Sequence, residues 1–236
     1  MNHGIRGDVT QCLCCGSTQL QEQPVLWKEL IDEWRIADYE VAYIDRQQGL
    51  NCASCGSNLR SMALAKAVMA CYGNATLFKE FVRSRVAKEL RVLEINEAGR
   101  LTPFLTVLPN HVLVRYPEID MMNLPLEDRT FDLVVHSDTL EHVPHPVRGL
   151  SECRRVLKPG GFCTFTLPMI VDRLTMSREG LPPSYHGSPS NAADHLVHTE
   201  YGADAWKHVL LAGFSECRIV ALEYPASQAL VGVTQS

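Results

Sequence analysis

The chain has 236 residues, 46% of them hydrophobic and 21% charged, with a formal net charge of −5. That length suits one α/β domain with a small appendage, and that charge leaves no electrostatic footprint for DNA or RNA. No apolar run approaches the ~20 residues that cross a bilayer, and the start MNHGIRGDVTQ lacks the apolar core of a secretory leader, so a cytoplasmic protein without membrane contact is expected.

In that setting nine cysteines argue for metal binding or buried thiols rather than disulfides. The segment Cys12-Leu13-Cys14-Cys15-Gly16-Ser17 is echoed by Cys52-Ala53-Ser54-Cys55-Gly56-Ser57. Each is a C-x-x-C-G-S knuckle, whose two thiolates can chelate one ion from a tight turn, with the glycine free to take positive φ. Cys12, Cys15, Cys52 and Cys55 together make a closed, structural zinc site. Four buried thiols or an iron–sulfur cluster are the alternatives. The insert between the knuckles carries Trp27, Trp34, Tyr39 and Tyr43, expected to pack against the main domain. Residues 1–60 hold five Lys/Arg against eight Asp/Glu, which disfavours a nucleic-acid finger.

Ser61–Tyr72 reads as a buried helix with Ser61 as N-cap and Gly73 as stop, and Leu77–Lys88 as a second, amphipathic helix. Residues 1–60 thus form a cysteine module, 61–89 a helical bridge and 90–236 an α/β domain. Arg91–Ile95 is a buried strand, a helix follows near Leu101–Leu108, and His111–Tyr116 is a further strand. Glu118 lies 24 residues after Glu94, close to the spacing at which an acid takes ribose hydroxyls. Asp120, followed by Met121 and Met122, suits an adenine pocket.

Phe131–Pro168 is one βαβ unit: a buried strand to His136, a His-rich loop Ser137–Pro146, a helix Val147–Leu157, the stop Pro159-Gly160-Gly161 and a second strand Phe162–Leu167. Ligands in such folds sit beyond the carboxyl ends of the strands, here at Ser137–His145. Residues 168–199 read as an irregular lid. Within it Tyr185, His186 and His195 are the candidate catalytic groups, able to act as base or to orient a substrate; His198 is weighed towards ordinary turn hydrogen bonding. A helix Tyr201–Ala212 capped by Gly213 and a strand Phe214–Glu223 close the readable part.

Val92-Leu93-Glu94-Ile95, Asp120-x-x-x-Leu124-Pro125, FDLVV at 131–135, LEHV at 140–143 and RVLKPGG at 155–161 together resemble the class I S-adenosylmethionine-dependent methyltransferases, type 11-like, over about residues 90–222. The knuckles are similar to those of members with a zinc-binding appendage. The resemblance implies a Rossmann-like, doubly wound, mostly parallel α/β sheet. It places Glu94 near the methionine amino group of the cofactor, Asn96 and Gly99 in the turn beneath it, and Glu118 on the ribose. Asp120 and Met121 would flank the adenine, and His136, Ser137 and His142 would close the pocket. Two departures stand out. The family's Gly-rich loop is EINEAG here. Glu118 and Asp120 lie two residues apart where the family has a helix and a strand, so either a strand is lost or only one acid keeps its role.

The expected protein is a methyltransferase that uses S-adenosylmethionine and one structural zinc ion. Its acceptor is a small molecule such as a sugar or natural-product intermediate, methylated on O or N sooner than on C. An RNA methyltransferase and a non-catalytic regulatory protein on the same fold are the alternatives. A homodimer is compatible with the sequence, which fixes no oligomeric state.

Overall fold

The computed structural model describes residues 9–73, 76–185 and 195–235. The described residues divide into two compact units. The first comprises Met1–Leu90, Gly99–His111 and Ile219–Leu230; the second comprises Arg91–Ala98, Val112–Arg218 and Val231–Ser236.

In the first unit β1 (Leu20–Gln21) pairs antiparallel with β2 (Asn51–Cys52), which brings the two knuckles side by side. Between these strands lie α1 (Lys28–Trp34) and α2 (Asp38–Gly49). A Cβ at Gly49 would meet the Gln23 carbonyl oxygen at 1.9 Å, so only glycine lets the chain pass there. Asp45 of α2 accepts the N–H groups of Val25 and Leu26, at 2.8 and 2.9 Å. Of the four insert aromatics Tyr43 alone is buried; Trp34 is half-buried, and Trp27 and Tyr39 are exposed, because α2 carries few apolar residues and buries one face. α3 (Leu59–Tyr72) follows the second knuckle directly. Its N-cap is Asn58, whose side chain accepts the Ser61 N–H, so the helix starts two residues earlier than Ser61 suggests; Gly73 ends it at φ +80°. The Leu77–Lys88 pattern is broken into α4 (Phe78–Phe81) and α5 (Arg85–Glu89), since Ser84 caps α5 by accepting the Ala87 N–H. Gly99–Leu101 is a 3₁₀ turn leading into α6 (Thr102–Leu105).

The second unit is built on β3 (Val92–Ile95), β4 (His111–Val114), β5 (Phe131–Ser137) and β6 (Leu157–Thr166), with α7 (Pro146–Val156) between β5 and β6. β5 pairs in parallel with both β3 and β6. With β10 (Glu216–Glu223) and β11 (Ser227–Val233), the six-stranded order is β10-β11-β6-β5-β3-β4. This is the expected mixed, mostly parallel α/β sheet. It ends at β4: no strand lies between Val114 and Phe131, so a strand is indeed missing there. Val92, Leu93, Leu133, Val134, Val135, Leu150, Cys153, Val156, Cys163 and Phe165 form the core, and each apolar side chain of this size contributes about 1.5–3 kcal/mol on burial.

Lys158-Pro159-Gly160-Gly161 does not stop the helix into a plain turn. It lies within β6 as a bulge, four residues against Asp132 alone of β5, with Gly160 at φ +74°. A Cβ at Gly161 would approach the carbonyl oxygens of Lys158 and Asp132 to 2.9 and 3.1 Å. The lid, in its described part, is not irregular. β7 (Met169–Ile170) and β8 (Met176–Ser177) flank β9 (Thr199–Gly202), and Arg178 ion-pairs with Glu200. β9 also takes the first residues of the helix expected from Tyr201; the helix itself is α8 (Trp206–Leu211).

Candidate functional site

Two constellations stand out, one in each unit. In the first unit the Sγ atoms of Cys12, Cys15, Cys52 and Cys55 all lie within 4.8 Å of one another. Cys12 and Cys55 are 3.6 Å apart, Cys15 and Cys52 3.5 Å. Four sulfurs held tetrahedrally at zinc–sulfur distance lie about 3.8 Å apart, so this quartet fits such an ion with little movement. The knuckles repeat one geometry. Gly16 and Gly56 donate to the carbonyls of Cys12 and Cys52, and Cys12 and Cys52 donate to those of Ser17 and Ser57, at 2.8–2.9 Å. Both glycines have positive φ, +84° and +72°. Cys14 is buried but stands outside the quartet. Burial pushes the Cys55 thiol up to about 12. At Cys52 burial is outweighed by the backbone N–H groups of Cys55 and Ser54, and the thiol falls to about 7. The set is one that a divalent cation would complete. The first knuckle is anchored from α4, where Phe78 and Lys79 donate to the Leu13 and Cys14 carbonyls.

In the second unit the carboxyl ends of β3, β4 and β5 converge. Glu94 is wholly buried, and its Oε1 accepts the Ala98 N–H at 2.8 Å. Asn96 has φ +54°, a left-handed conformation that asparagine tolerates. Its N–H donates to the Val114 carbonyl at 2.7 Å, its Oδ1 accepts the Tyr116 N–H at 3.0 Å, and its Nδ2 lies 3.4 Å from the Thr139 hydroxyl. One residue thereby ties the three strand ends together, which accounts for how a loop with so little glycine keeps a tight turn. Gly99 (φ +58°) belongs to the first unit.

Glu118 is exposed. Asp120 accepts the Met122 N–H through Oδ1 at 2.8 Å. Met121 is buried, and a Cβ at Gly149 would come within 3.3 Å of its Cγ, so α7 is glycine where the methionine packs. The segment Asp120–Asp128 is held by α7. Arg155 donates to the carbonyls of Leu124 and Leu126 and to Asp128 and Glu152; Glu152 accepts the Leu124 N–H, and Arg148 donates to the Met122 carbonyl. The Arg155 guanidinium holds Glu152 below the usual carboxylate range. From sequence Arg155 is simply a cation at a helix end; what marks it as a latch is the strandless stretch before β5, which needs its carbonyls satisfied.

Ser137 is buried, and its hydroxyl lies 2.8 Å from that of Thr166. The His136 ring faces the opposite side of β5, stacked on Phe165 at 4.7 Å, with no solvent exposure. Among the described residues neither ring nitrogen has a hydrogen-bond partner. Burial lowers its pKa to about 3, so the folded protein holds it neutral while the unfolded chain protonates near 6.5. Below pH 6.5 the unfolded state therefore binds the extra proton, and stability falls by about 1.4 kcal/mol per pH unit on this account as acid is added. His136→Phe keeps the stack and removes two unbonded polar atoms. It is expected to stabilise the protein by about 1 kcal/mol at neutral pH and to flatten its acid limb, read by urea unfolding between pH 4 and 7.

His142 and the lid meet. His142 Nδ1 lies 3.1 Å from the Leu196 carbonyl oxygen, which fixes the proton on Nδ1. Its Nε2 is 3.6 Å from the buried Glu141 carboxylate. Burial lowers the His142 pKa. The His195 ring stands edge-on to His142, centroids 5.8 Å apart. His198 donates its N–H to the Glu141 carbonyl, and Tyr185 bridges to Leu196. Tyr185 is half-exposed; His186 lies outside the described residues. Glu141 and Tyr201 are buried polar groups as well, the Tyr201 hydroxyl 3.3 Å from His208 Nδ1, and nothing in a linear pattern marks their burial.

A family model described as a methyltransferase domain matches residues 53–165. A probable S-adenosylmethionine-dependent methyltransferase of Mycolicibacterium smegmatis is 36% identical over 91 residues, 36% of this chain and 34% of that protein. A demethylmenaquinone methyltransferase of Clavibacter sepedonicus is 42% identical over 99 residues, 39% of this chain and 40% of that protein. The matched stretch thus spans between a third and two-fifths of these relatives' length. Among solved structures, a possible histamine N-methyltransferase of Thermotoga maritima is 16% identical and covers 74% of this chain and 89% of its own, with a TM-score of 0.43. Among the described residues no helix is long and apolar enough to cross a membrane.

Proposed function

We propose that this chain, which belongs to the class I S-adenosylmethionine-dependent methyltransferases, transfers a methyl group to an oxygen or nitrogen of a small-molecule acceptor such as a sugar or natural-product intermediate. One observation carries the reading: a fully buried acid, Glu94, at the end of β3 beside a left-handed Asn96 that binds the ends of β4 and β5. A carboxylate held at a strand end is the group that pairs with an ammonium, and an amino-acid-like cofactor carries one. The relative named for demethylmenaquinone agrees with a small-molecule acceptor.

S-adenosylmethionine would supply a methyl already activated on a sulfonium, open to in-line displacement. What the chain has to provide is binding, alignment and the fate of one proton. Glu94 takes the ammonium while Ala98 keeps its carboxylate aimed. Asn96 sets the turn under the donor. Glu118 is the ribose acid, and Asp120, with one oxygen on Met122, offers the other to the adenine amine. Met121, packed against Gly149 of α7, supports that wall. Ser137 and His142 line the β5 end. His136 sits beneath it as packing. Tyr185, His186 and His195 orient the acceptor, His195 beside the neutral His142. The quartet Cys12, Cys15, Cys52 and Cys55 would hold one zinc ion as a closed structural site, all four positions filled by sulfur. The nucleic-acid alternative has no basic surface in residues 1–60 to support it.

Incubation with methyl-tritiated S-adenosylmethionine and a panel of hydroxyl- and amine-bearing small molecules tests the reading. Label should enter the small-molecule fraction. Label entering RNA alone would favour the nucleic-acid alternative, and no transfer to any fraction would favour the regulatory one.

A further inference from the structure

At the other end of the sheet, where β5 and β6 begin, a cavity of about 460 Å³ is lined by Asp128, Arg129, Arg154, Arg155, Leu157, Pro159, Thr234 and Gln235. All belong to the second unit. Three guanidinium groups meet here in a chain of net charge −5, against one carboxylate. That carboxylate is already engaged: Asp128 receives Arg155, which also serves Glu152, Leu124 and Leu126. Nearby Lys158 is engaged too, on Asp132.

The other two arginines are not. Arg154 uses only Nε, on the Ala212 carbonyl at 3.0 Å, leaving both Nη groups uncommitted among the described residues. The Arg129 side chain makes no hydrogen bond or ion pair to any described residue. Its backbone is nonetheless specified: φ is +51°, and its N–H donates to the Arg155 carbonyl at 3.0 Å. A left-handed arginine costs more than the glycine or asparagine that suits such a turn, so the side chain is a choice the turn does not require. Two guanidinium forks with free donors, beside a floor of buried Leu157 and the Pro159 ring, are the donor set that recognises a tetrahedral oxyanion carried on a small organic body. A recess of this volume fits one such molecule.

We propose that this cleft binds the phosphate group of a small phosphorylated metabolite, through Arg129 and Arg154. The site stands apart from the cofactor reading, because the Glu94 and Asn96 end is the opposite end of the same strands.

Isothermal titration with inorganic phosphate, then with ribose 5-phosphate and ribose as a matched pair, tests it. Phosphate and ribose 5-phosphate should bind and ribose should not. Arg129→Ala, which removes no described bond, should weaken both at least tenfold; Arg154→Gln should do the same. Arg85→Ala, an exposed arginine elsewhere, should change nothing. Absence of phosphate binding, or Arg129→Ala binding within twofold of the parent protein, would overturn the proposal.

Discussion

If the quartet holds the proposed zinc ion, stripping it with a strong chelator, or replacing Cys52 by Ser, is expected to lower the thermal midpoint by about 10 °C. The reasoning starts from the secondary structure, which is short where the quartet sits. β1 and β2 are two residues each, too little to hold a fold by their own ladder. Beyond that ladder and the sulfur contacts, the knuckles share among the described residues only the Ala53 N–H on the Gln19 carbonyl and the Ser54 hydroxyl on that of Ser17, and their turns support two neighbouring helices: Asn58 caps α3 directly after Gly56-Ser57, and α4 bonds back to Leu13 and Cys14. Structural zinc supplies about 10–16 kcal/mol to isolated finger peptides, and even a third of that amounts to roughly 7–20 °C in a chain of this length. Without the ion, burial also leaves sulfurs crowded within 4.8 Å of each other with no cation between them. Metal analysis should give one zinc per chain, and calorimetry of the holo protein, the chelated protein and Cys52→Ser should place the last two together. Cys14→Ser serves as the control, since Cys14 lies outside the quartet; it should retain the full metal content.

Glu94→Gln should weaken S-adenosylmethionine binding about thirtyfold while leaving the fold in place. The two effects separate because Glu94 does two things. Its Oε1 accepts the Ala98 N–H, which the amide oxygen of glutamine can also do, so the loop after β3 keeps its turn. What glutamine cannot do is present a negative charge to an ammonium group. A hydrogen bond to a charged partner contributes about 1.5–3 kcal/mol, and ~2 kcal/mol is the thirtyfold expected. Unfolding free energy should shift by less than about 1 kcal/mol in the absence of cofactor, because a buried carboxylate is itself costly to hold. Glu94→Ala, which also abandons the Ala98 N–H, should lose both binding and stability.

Much of the second unit was legible because its signals are local. Val92–Ile95 and Phe131–His136 are mostly apolar runs of strand length, interrupted by Glu94 and Asp132, and the 146–156 helix shows its apolar stripe and its basic last turn. The two acids Glu118 and Asp120, too close together, left two readings open, a lost strand or one acid without its role, and the sheet has no strand between Val114 and Phe131. The C-x-x-C-G-S repeat announced the quartet, down to Cys12 in place of Cys14. What the linear pattern hid depends on distant partners. β7, β8 and β9 are strands of two to four residues that exist only because they pair with each other across the lid. Asn96 is an ordinary loop residue until its φ and its bonds to Tyr116 and Thr139 are seen. Arg155 carries a whole loop, yet its composition matches any helix C-terminus. β11 escaped because its alternation is blurred: Ser227 to Leu230 is buried nearly throughout. The break at Ser84 shows a cap overriding an amphipathic pattern that would otherwise run on.

The central claim is that the ends of β3, β4 and β5 form a methyl-donor site on Glu94 and Asn96. Titration of the purified, zinc-loaded protein with S-adenosylmethionine tests it most directly. Saturable one-to-one binding in the micromolar range is expected, weakened by Glu94→Gln with an unchanged thermal midpoint. No detectable binding at millimolar cofactor to a protein shown to be folded and metal-loaded would contradict it.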